Sequence, residues 1–187
     1  MEGIKAPPNF QIAKFKIIGT SPYMQRRFVG QSIPKKMSTI NILQWFESVM
    51  YKSTKGWHGI PTLSLHNKII EACRMSGIKM TTAKLSFFVE SDDCDEVNGA
   101  NLIRITKGKP EPYEAKLPRS NYFYLRALWP QWEAKARVRY DANQFQLADV
   151  TNLMIRVGAL HGIGIGGPDN KAYGTFKVKL MSSGRKS

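Results

Sequence analysis

Cysteine and histidine are scarce in this sequence. Its 187 residues include two cysteines, Cys73 and Cys94, and three histidines. The cysteines form no C-x-x-C pair and no pair of histidines stands near them, so the spacing of a zinc site or a disulfide framework is missing. We expect no metal and no cofactor. We predict that Cys73, which falls in a helical pattern, is a small core residue.

Long apolar runs are also missing, and acidic residues are few. No stretch approaches the roughly 18 apolar residues of a membrane-spanning helix, and the first ten residues lack the pattern of a signal peptide. Lysine and arginine number 28 against 14 acidic residues, which gives a formal charge of +14. A surface with this imbalance attracts polyanions at a distance. We therefore expect a soluble cytoplasmic protein with nucleic acid as its first candidate partner and no membrane partner.

A nucleotide-binding loop is disfavoured as well. Gly162, Gly164 and Gly167 fit the spacing G-x-G-x-x-G, which binds dinucleotides only when it follows a strand and opens a helix. Here helical periodicity precedes the glycines and a strand pattern follows them. No G-x-x-x-x-G-K-[ST] phosphate loop occurs.

Apolar periodicity divides the chain into six main elements. Alternation with period two predicts strands, and apolar residues at i, i+4 and i+7 predict helices. In chain order these elements are strand 10–19, helix 62–74, strand 85–91, strand 133–141, helix 147–160 and strand 173–181. This β-α-β-β-α-β order predicts an α+β, ferredoxin-like fold in which two helices cover one face of a four-stranded antiparallel sheet.

We predict that residues 1–187 form a single domain, since the length suits one core. Residues 20–60 and 91–132 lie between the main elements as insertions after the first and second strands. The first insertion carries the pattern of a short helix that Ser38 would cap. Residues 182–187 are predicted to be a flexible tail.

The alternate positions of three predicted strands are basic. Because the apolar side chains of each strand must point at the helices, the alternate side chains share the other face. Those positions are Lys14, Lys16, Lys135, Arg137, Arg139, Lys177 and Lys179. We expect no acidic residue on the face that these cations share, which favours a nucleic-acid surface over an ordinary solvated one. An RNA-recognition motif has aromatic residues there, so contacts from this face would go to phosphates and discriminate little between sequences.

Aromatic residues are frequent in the insertions. Tyr23 stands near Arg26 and Arg27, and this cluster is a candidate for stacking on bases and binding phosphates. A second group, 122–124, has the same two interpretations, stacking or packing on the core. We predict that Trp129 and Trp132 pack on the core.

Two stretches together resemble a known family. GIPTLSLHNKIIEACR (59–74) resembles the first-helix start, and HGIGIGGPDNKAYGTFKV (161–178) the C-terminal glycine-rich loop, of the RAMP superfamily, which includes the backbone subunits of CRISPR effector complexes. Thr62 and Leu63 depart from the family's small Gly-Ser pair. The segment GTSPYMQRR (19–27) also resembles solitary RAMP-like proteins encoded by phages. The resemblance implies a RAMP-like domain that holds RNA or another single strand along its backbone and assembles as a head-to-tail homo-oligomer.

The resemblance also implies particular contacts. The helix start and the glycine loop would lie beside phosphates, and the residues concerned are Ser64, His66, Lys68, His161, Gly164, Gly166 and Lys171. The glycines would let the main chain approach a sugar-phosphate backbone. The alternative is a helix-to-strand turn packed against the first helix.

The sequence therefore predicts a non-enzymatic, sequence-independent binder of single-stranded RNA or DNA. One alternative is a phage-encoded RAMP mimic that acts in the host cytoplasm and inhibits a CRISPR effector complex, whose subunits would then be partners. The other is a metal-independent endoribonuclease that uses His58 or His66 with Lys55 or Lys68. The acidic loop 92–96 is expected to form a solvated turn or to meet a neighbouring subunit, rather than to hold Mg²⁺.

Overall fold

The structure is a computed structural model that describes residues 7–27, 42–116, 123–165 and 173–181. The elements named below follow chain order. The strands are β1 (Phe10–Gly19), β2 (Tyr23–Gln25), β3 (Gly59–Pro61), β4 (Phe87–Glu90), β5 (Asp93–Cys94), β6 (Asn101–Lys107), β7 (Glu111–Lys116), β8 (Phe123–Trp129), β9 (Glu133–Asp141) and β10 (Phe176–Met181). The helices are α1 (Ile42–Ser48), α2 (Thr62–Met75), α3 (Met80–Ser86) and α4 (Leu147–Arg156), and α4 continues into a π-helical turn (Val157–His161).

An antiparallel sheet of seven strands forms the centre of the protein. Its main path is β10-β1-β9-β6-β3, while β4 also pairs with β9 and β5 with β6. One edge of β9 borders β1 over almost its whole length. The opposite edge is shared, because β6 pairs with its first residues and β4 with residues 137–140. This shared edge places β6 and β4 one after the other along β9, and the described strands show no pairing between the two.

Helices α2 and α4 supply the apolar layer over this sheet. Helix α2 buries Leu65, Ile69 and Cys73, and it ends where Gly77 takes a positive φ of 78° that a residue with a side chain rarely adopts. Helix α4 begins with a capping box in which the Asp149 carboxylate accepts the backbone N–H of Gln146 at 2.8 Å. Burial raises the pKa of Cys73 to about 11, which agrees with its predicted core position. No helix within the described ranges is long and apolar enough to cross a membrane.

The inward face of the sheet shows why the strands alternate. Phe15 and Ile17 of β1 and Ala136 and Val138 of β9 are buried in the same core as the helices. Fully burying one such large apolar side chain is worth about 1.5–3 kcal/mol, so this pattern fixes which face of each strand is inward.

The α+β class with antiparallel sheets is confirmed, and so are several element bounds. Strand β1, helix α2 and strand β9 match the predictions to within one residue. Three bounds are wrong. The first two residues of the predicted strand 85–91 belong to α3, and the predicted helix 147–160 changes to a π-helical turn after Arg156. The predicted strand 173–181 begins only at Phe176, as β10. A short apolar run does not by itself distinguish a strand from a helix end. The extent of the domain and its insertions stays a prediction, and residues 182–187 lie outside the described ranges.

A second antiparallel sheet, of order β2-β8-β7, lies within the two predicted insertions. Trp129 and Trp132 are buried, which confirms their predicted packing. Tyr23 is 1% exposed and its ring centre lies 5.6 Å from that of Trp129. The prediction that Tyr23 stacks on bases is therefore wrong, because its ring is already enclosed by protein. The side chains of 122–124 lie outside the described residues.

Candidate nucleic-acid interface

The seven predicted cations share one face of the main sheet, opposite the helices, which we call the outward face. Directly opposed residues of antiparallel strands project to the same side. Lys16 lies opposite Lys135 on β9 and Lys179 on β10, and Lys14 lies opposite Arg137. Arg139 and Lys177 have the same alternation on their strands. The predicted common face is thus confirmed.

Acidic residues also reach the outward face, which corrects the expectation that it has none. Glu133 is the first outward residue of β9, and Glu90 is outward on β4 beside Arg137. Three of the seven cations are consequently paired. The ion pairs are Lys16–Glu133 at 2.8 Å, Arg137–Asp92 at 3.1 Å and Arg139–Glu90 at 3.1 Å. The hydrogen bond from Lys16 is the largest cause that lowers the pKa of Glu133, so this carboxylate stays charged at neutral pH.

Four lysines of the outward face have no acidic partner among the described residues: Lys14, Lys135, Lys177 and Lys179. The last three are exposed and Lys14 is half-buried. Like charges directly opposite each other on a sheet are destabilising, and Lys16 stands between two of these lysines. A bound anion would remove that repulsion.

An arginine held by two phenylalanines lies at the β4 side of this face. The Arg139 guanidinium is 4.9 Å from the Phe10 ring centre and 4.7 Å from that of Phe88. The two rings meet edge to face at 5.6 Å. The sequence pattern indicated basic residues and no aromatic residue on this face. Phe88 nevertheless lies on it, since this residue alternates with the inward Phe87 and Val89.

The basic cluster of the first insertion is mostly structural. Arg27 is 7% exposed, its Nη1 lies 3.2 Å from both oxygens of Asp95, and its Nε donates to the Ser48 carbonyl at 3.0 Å. Asp95 also accepts the backbone N–H of Lys52 at 2.9 Å. The predicted nucleic-acid contact of Arg27 is therefore wrong, since its donors are used inside the protein. Arg26 is half-buried, and its predicted contact stays untested.

The predicted phosphate cluster at the start of α2 does not form as one site. Pro61 occupies the N-cap, and Ser64 is half-buried in the first turn. Residues two positions apart in an α-helix are separated by about 200° around its axis. His66 and Lys68 therefore point in nearly opposite directions. Lys68 donates to Glu71 at 2.8 Å, and Nδ1 of His161 lies 3.6 Å from the same carboxylate.

The glycine loop approaches its own chain. Gly162 has a φ of 64°, and the N–H of Gly164 donates to the Tyr173 carbonyl at 3.0 Å. A Cβ added to Gly164 would lie 2.8 Å from the Tyr173 backbone. For these positions the packed-turn alternative is favoured over an approach to a sugar-phosphate backbone. Gly166 and Lys171 lie outside the described residues.

The carboxylates of the acidic loop 92–96 form hydrogen bonds and ion pairs within the protein. The Asp92 carboxylate accepts hydrogen bonds from the Arg137 guanidinium at 3.1 Å and from the backbone N–H of Arg104 at 2.9 Å. The Asp93 carboxylate accepts one from the Thr54 hydroxyl at 2.8 Å. Within the described ranges no three His, Cys, Asp or Glu side chains are grouped as metal ligands would be. The expectation that this loop is a solvated turn is wrong for Asp95, which is buried with Arg27.

A cavity of about 550 Å³ opens at the edge of β4, and no pattern in the sequence pointed to it. Its lining residues come from the segment before β3, the end of β3, α2, β4, the β5–β6 connection and the start of β6. They are Tyr51, Pro61, Thr62, Leu63, His66, Phe88, Val89, Gly99, Ala100 and Asn101. These residues are far apart in the sequence and meet only in the folded chain.

Comparison by sequence finds no matching protein-family model and no matching curated protein. Comparison by structure finds the type III-B Cmr-beta bound to cognate target RNA, with a TM-score of 0.51 and 9% identity over 94% of this chain and 62% of that chain. It also finds Csc2 of Thermofilum pendens, with a TM-score of 0.41 and 10% identity over 92% of this chain and 66% of that one. This chain thus spans less than two thirds of either chain. The likeness to Cmr-beta indicates a similar fold, while the Csc2 score is too low to indicate a shared fold.

Proposed function

We propose that this protein binds single-stranded RNA or DNA along the sugar-phosphate backbone, through the outward face of the main sheet and without reading sequence. The observation that carries the proposal is the set of four lysines on one face without an acidic partner among the described residues. Phosphates would neutralise them and release condensed counterions, which is the main source of affinity in such contacts.

The fold supports the same proposal. The Cmr-beta structure that this chain resembles is bound to its target RNA. The strand order β10-β1-β9-β4, with α2 and α4 on one face, supports a ferredoxin-like arrangement of the central elements. We extend RNA or single-stranded DNA binding to this chain as part of the proposal. Assembly of several copies head to tail along one strand belongs to it too, and sedimentation with and without RNA tests that assembly.

The proposal is for a binder and not an enzyme. A general acid-base pair of His66 and Lys68 is unsupported, because Lys68 is paired with Glu71 and points away from His66. His58 is half-buried beside Trp129, and burial is the largest cause that lowers its pKa. Incubation of labelled RNA in EDTA is expected to leave it intact, and cleavage that His66→Ala or His58→Ala abolishes would contradict this part of the proposal.

Fluorescence anisotropy with unrelated short RNA and DNA strands tests the binding itself. If the four lysines each neutralise one phosphate, log Kd should change with log salt with a slope of magnitude about 3, at about 0.7 per phosphate for single strands. Unrelated sequences should agree in Kd within a few fold. Binding that is absent at low salt, or that does not respond to salt, would overturn the proposal.

A further inference from the structure

We infer that the cavity at the edge of β4 is a binding site for one nucleobase of the bound strand. This inference rests on the proposed function and adds a site to it. Among the described strands β4 pairs only with β9, so its other edge is open to the cavity that Phe88 and Val89 line. The volume of about 550 Å³ lies within the roughly 300–1,000 Å³ of small-molecule sites.

The lining of the cavity suits a nucleobase of the bound strand and not a phosphate group. It contains no lysine, arginine, aspartate or glutamate, so a phosphate inside the cavity would lose water without gaining a charged partner. The walls instead offer aromatic and apolar surface from Phe88, Tyr51 and Leu63. Planar aromatic groups stack on any nucleobase, because every base has a π face.

Neutral polar groups complete the lining. His66, Thr62 and Asn101 all face the cavity. Burial, and next the charge of Lys84, lowers the pKa of His66, so its imidazole is neutral at pH 7 and has one donor and one acceptor nitrogen. An edge strand also presents alternate backbone N–H and C=O groups. These groups match the mixed donors and acceptors on the edge of a base.

Phe88 connects the cavity to the cationic face. Its ring lines the cavity and also contacts Arg139, whose guanidinium is 4.7 Å away. Arg139 lies next to Arg137 and Lys14 in the register of the sheet. A strand whose phosphates follow the outward face would therefore reach the β4 edge with a base beside the opening.

The test compares strands that contain bases with abasic strands of the same length and charge. For the wild type we expect about tenfold weaker binding of the abasic strand. Phe88→Ala and the cavity-filling Ala100→Trp should weaken binding of the base-containing strand by a similar factor. Ala100→Trp should leave the abasic Kd within about twofold, since Ala100 is not on the outward face. Phe88→Ala should change the abasic Kd no more than Phe10→Ala does, since both residues contact Arg139. Phe10→Ala is the matched control, because Phe10 contacts the same Arg139 at 4.9 Å but does not line the cavity.

Two outcomes of the strand comparison would overturn the inference. The first is equal binding of both strands by the wild type, which would leave backbone binding standing. The second is an equal loss with Phe10→Ala and Phe88→Ala, which would place stacking on the open face. If neither strand binds, the proposed function fails and a titration with free adenosine decides the cavity. In this titration, adenosine-induced shifts of the His66 and Thr62 NMR signals in the wild type, absent in Ala100→Trp, would support the base site. Signals of the wild type that adenosine leaves unchanged would contradict it.

Discussion

The outward face of the sheet and the region of α2 with the glycine loop were both predicted to bind phosphates but differ in the structure. On the face, four lysines have no acidic partner among the described residues. Around α2, Lys68 is paired with Glu71, and Arg27 of the first insertion is buried against Asp95. The number of cations in a segment is thus a poor guide to binding, because a partner distant in sequence decides whether a cation is available.

The largest expected effect follows from a substitution that breaks the buried Arg27–Asp95 pair. Arg27→Ala leaves the Asp95 carboxylate buried without its partner, which should lower the free energy of unfolding by about 3–5 kcal/mol. Urea denaturation measures it. Arg137→Ala, which removes a half-exposed pair with Asp92, is the control and should cost less than about 1 kcal/mol. Equal losses would show that burial does not distinguish the two pairs.

Removal of an acid from the outward face should strengthen binding. Glu133 is paired with Lys16 at 2.8 Å and with Lys107 at 3.7 Å, so Glu133→Gln makes both cations available to phosphates. We expect Kd for single-stranded RNA to fall by about twofold to fivefold, the scale of an exposed ion pair. Glu111→Gln on β7 changes the net charge equally and should have little effect. Equal gains from both variants would assign the effect to net charge alone.

The smallest effect concerns the pair on α2. The hydrogen bond from Lys68 is the largest cause that lowers the pKa of Glu71, so the stability from this pair is present at neutral pH and is lost as pH falls through the lowered pKa. Lys68→Ala should raise the Glu71 pKa towards its ordinary value in an NMR titration. The RNA Kd should stay within twofold, and a loss as large as that from charge reversal on the outward face would return Lys68 to the binding site.

Local patterns predicted the central elements and the common face. β9 alternates without a break and β1 alternates over its second half, and the need to bury Phe15 and Val138 sets the direction of the lysines on these strands. The partners of the cations are different, because Glu90 and Asp92 reach β9 only through the pairing of β4. No local signal reports that pairing.

The second sheet and the cavity were missed for related reasons. Strand β7 contains Pro112, a residue that usually counts against a strand interior. The cavity is lined by residues from α2, β3, β4, β6 and two connections, which meet only in the folded chain. Two local signals did indicate aromatic residues on the outward face: Phe88 alternates with Phe87 and Val89, and Phe10 alternates in step with Lys14.

Charge reversal on the outward face tests the central claim most directly. The variant Lys135→Glu with Lys179→Glu should weaken binding of single-stranded RNA by about tenfold or more and reduce the magnitude of the salt slope by about 1.4, at about 0.7 per phosphate. Lys79→Glu with Lys109→Glu changes the net charge equally at exposed positions outside the main sheet and should leave the slope unchanged. Equal losses of affinity and slope in the two double variants would contradict the claim that the outward face holds the strand.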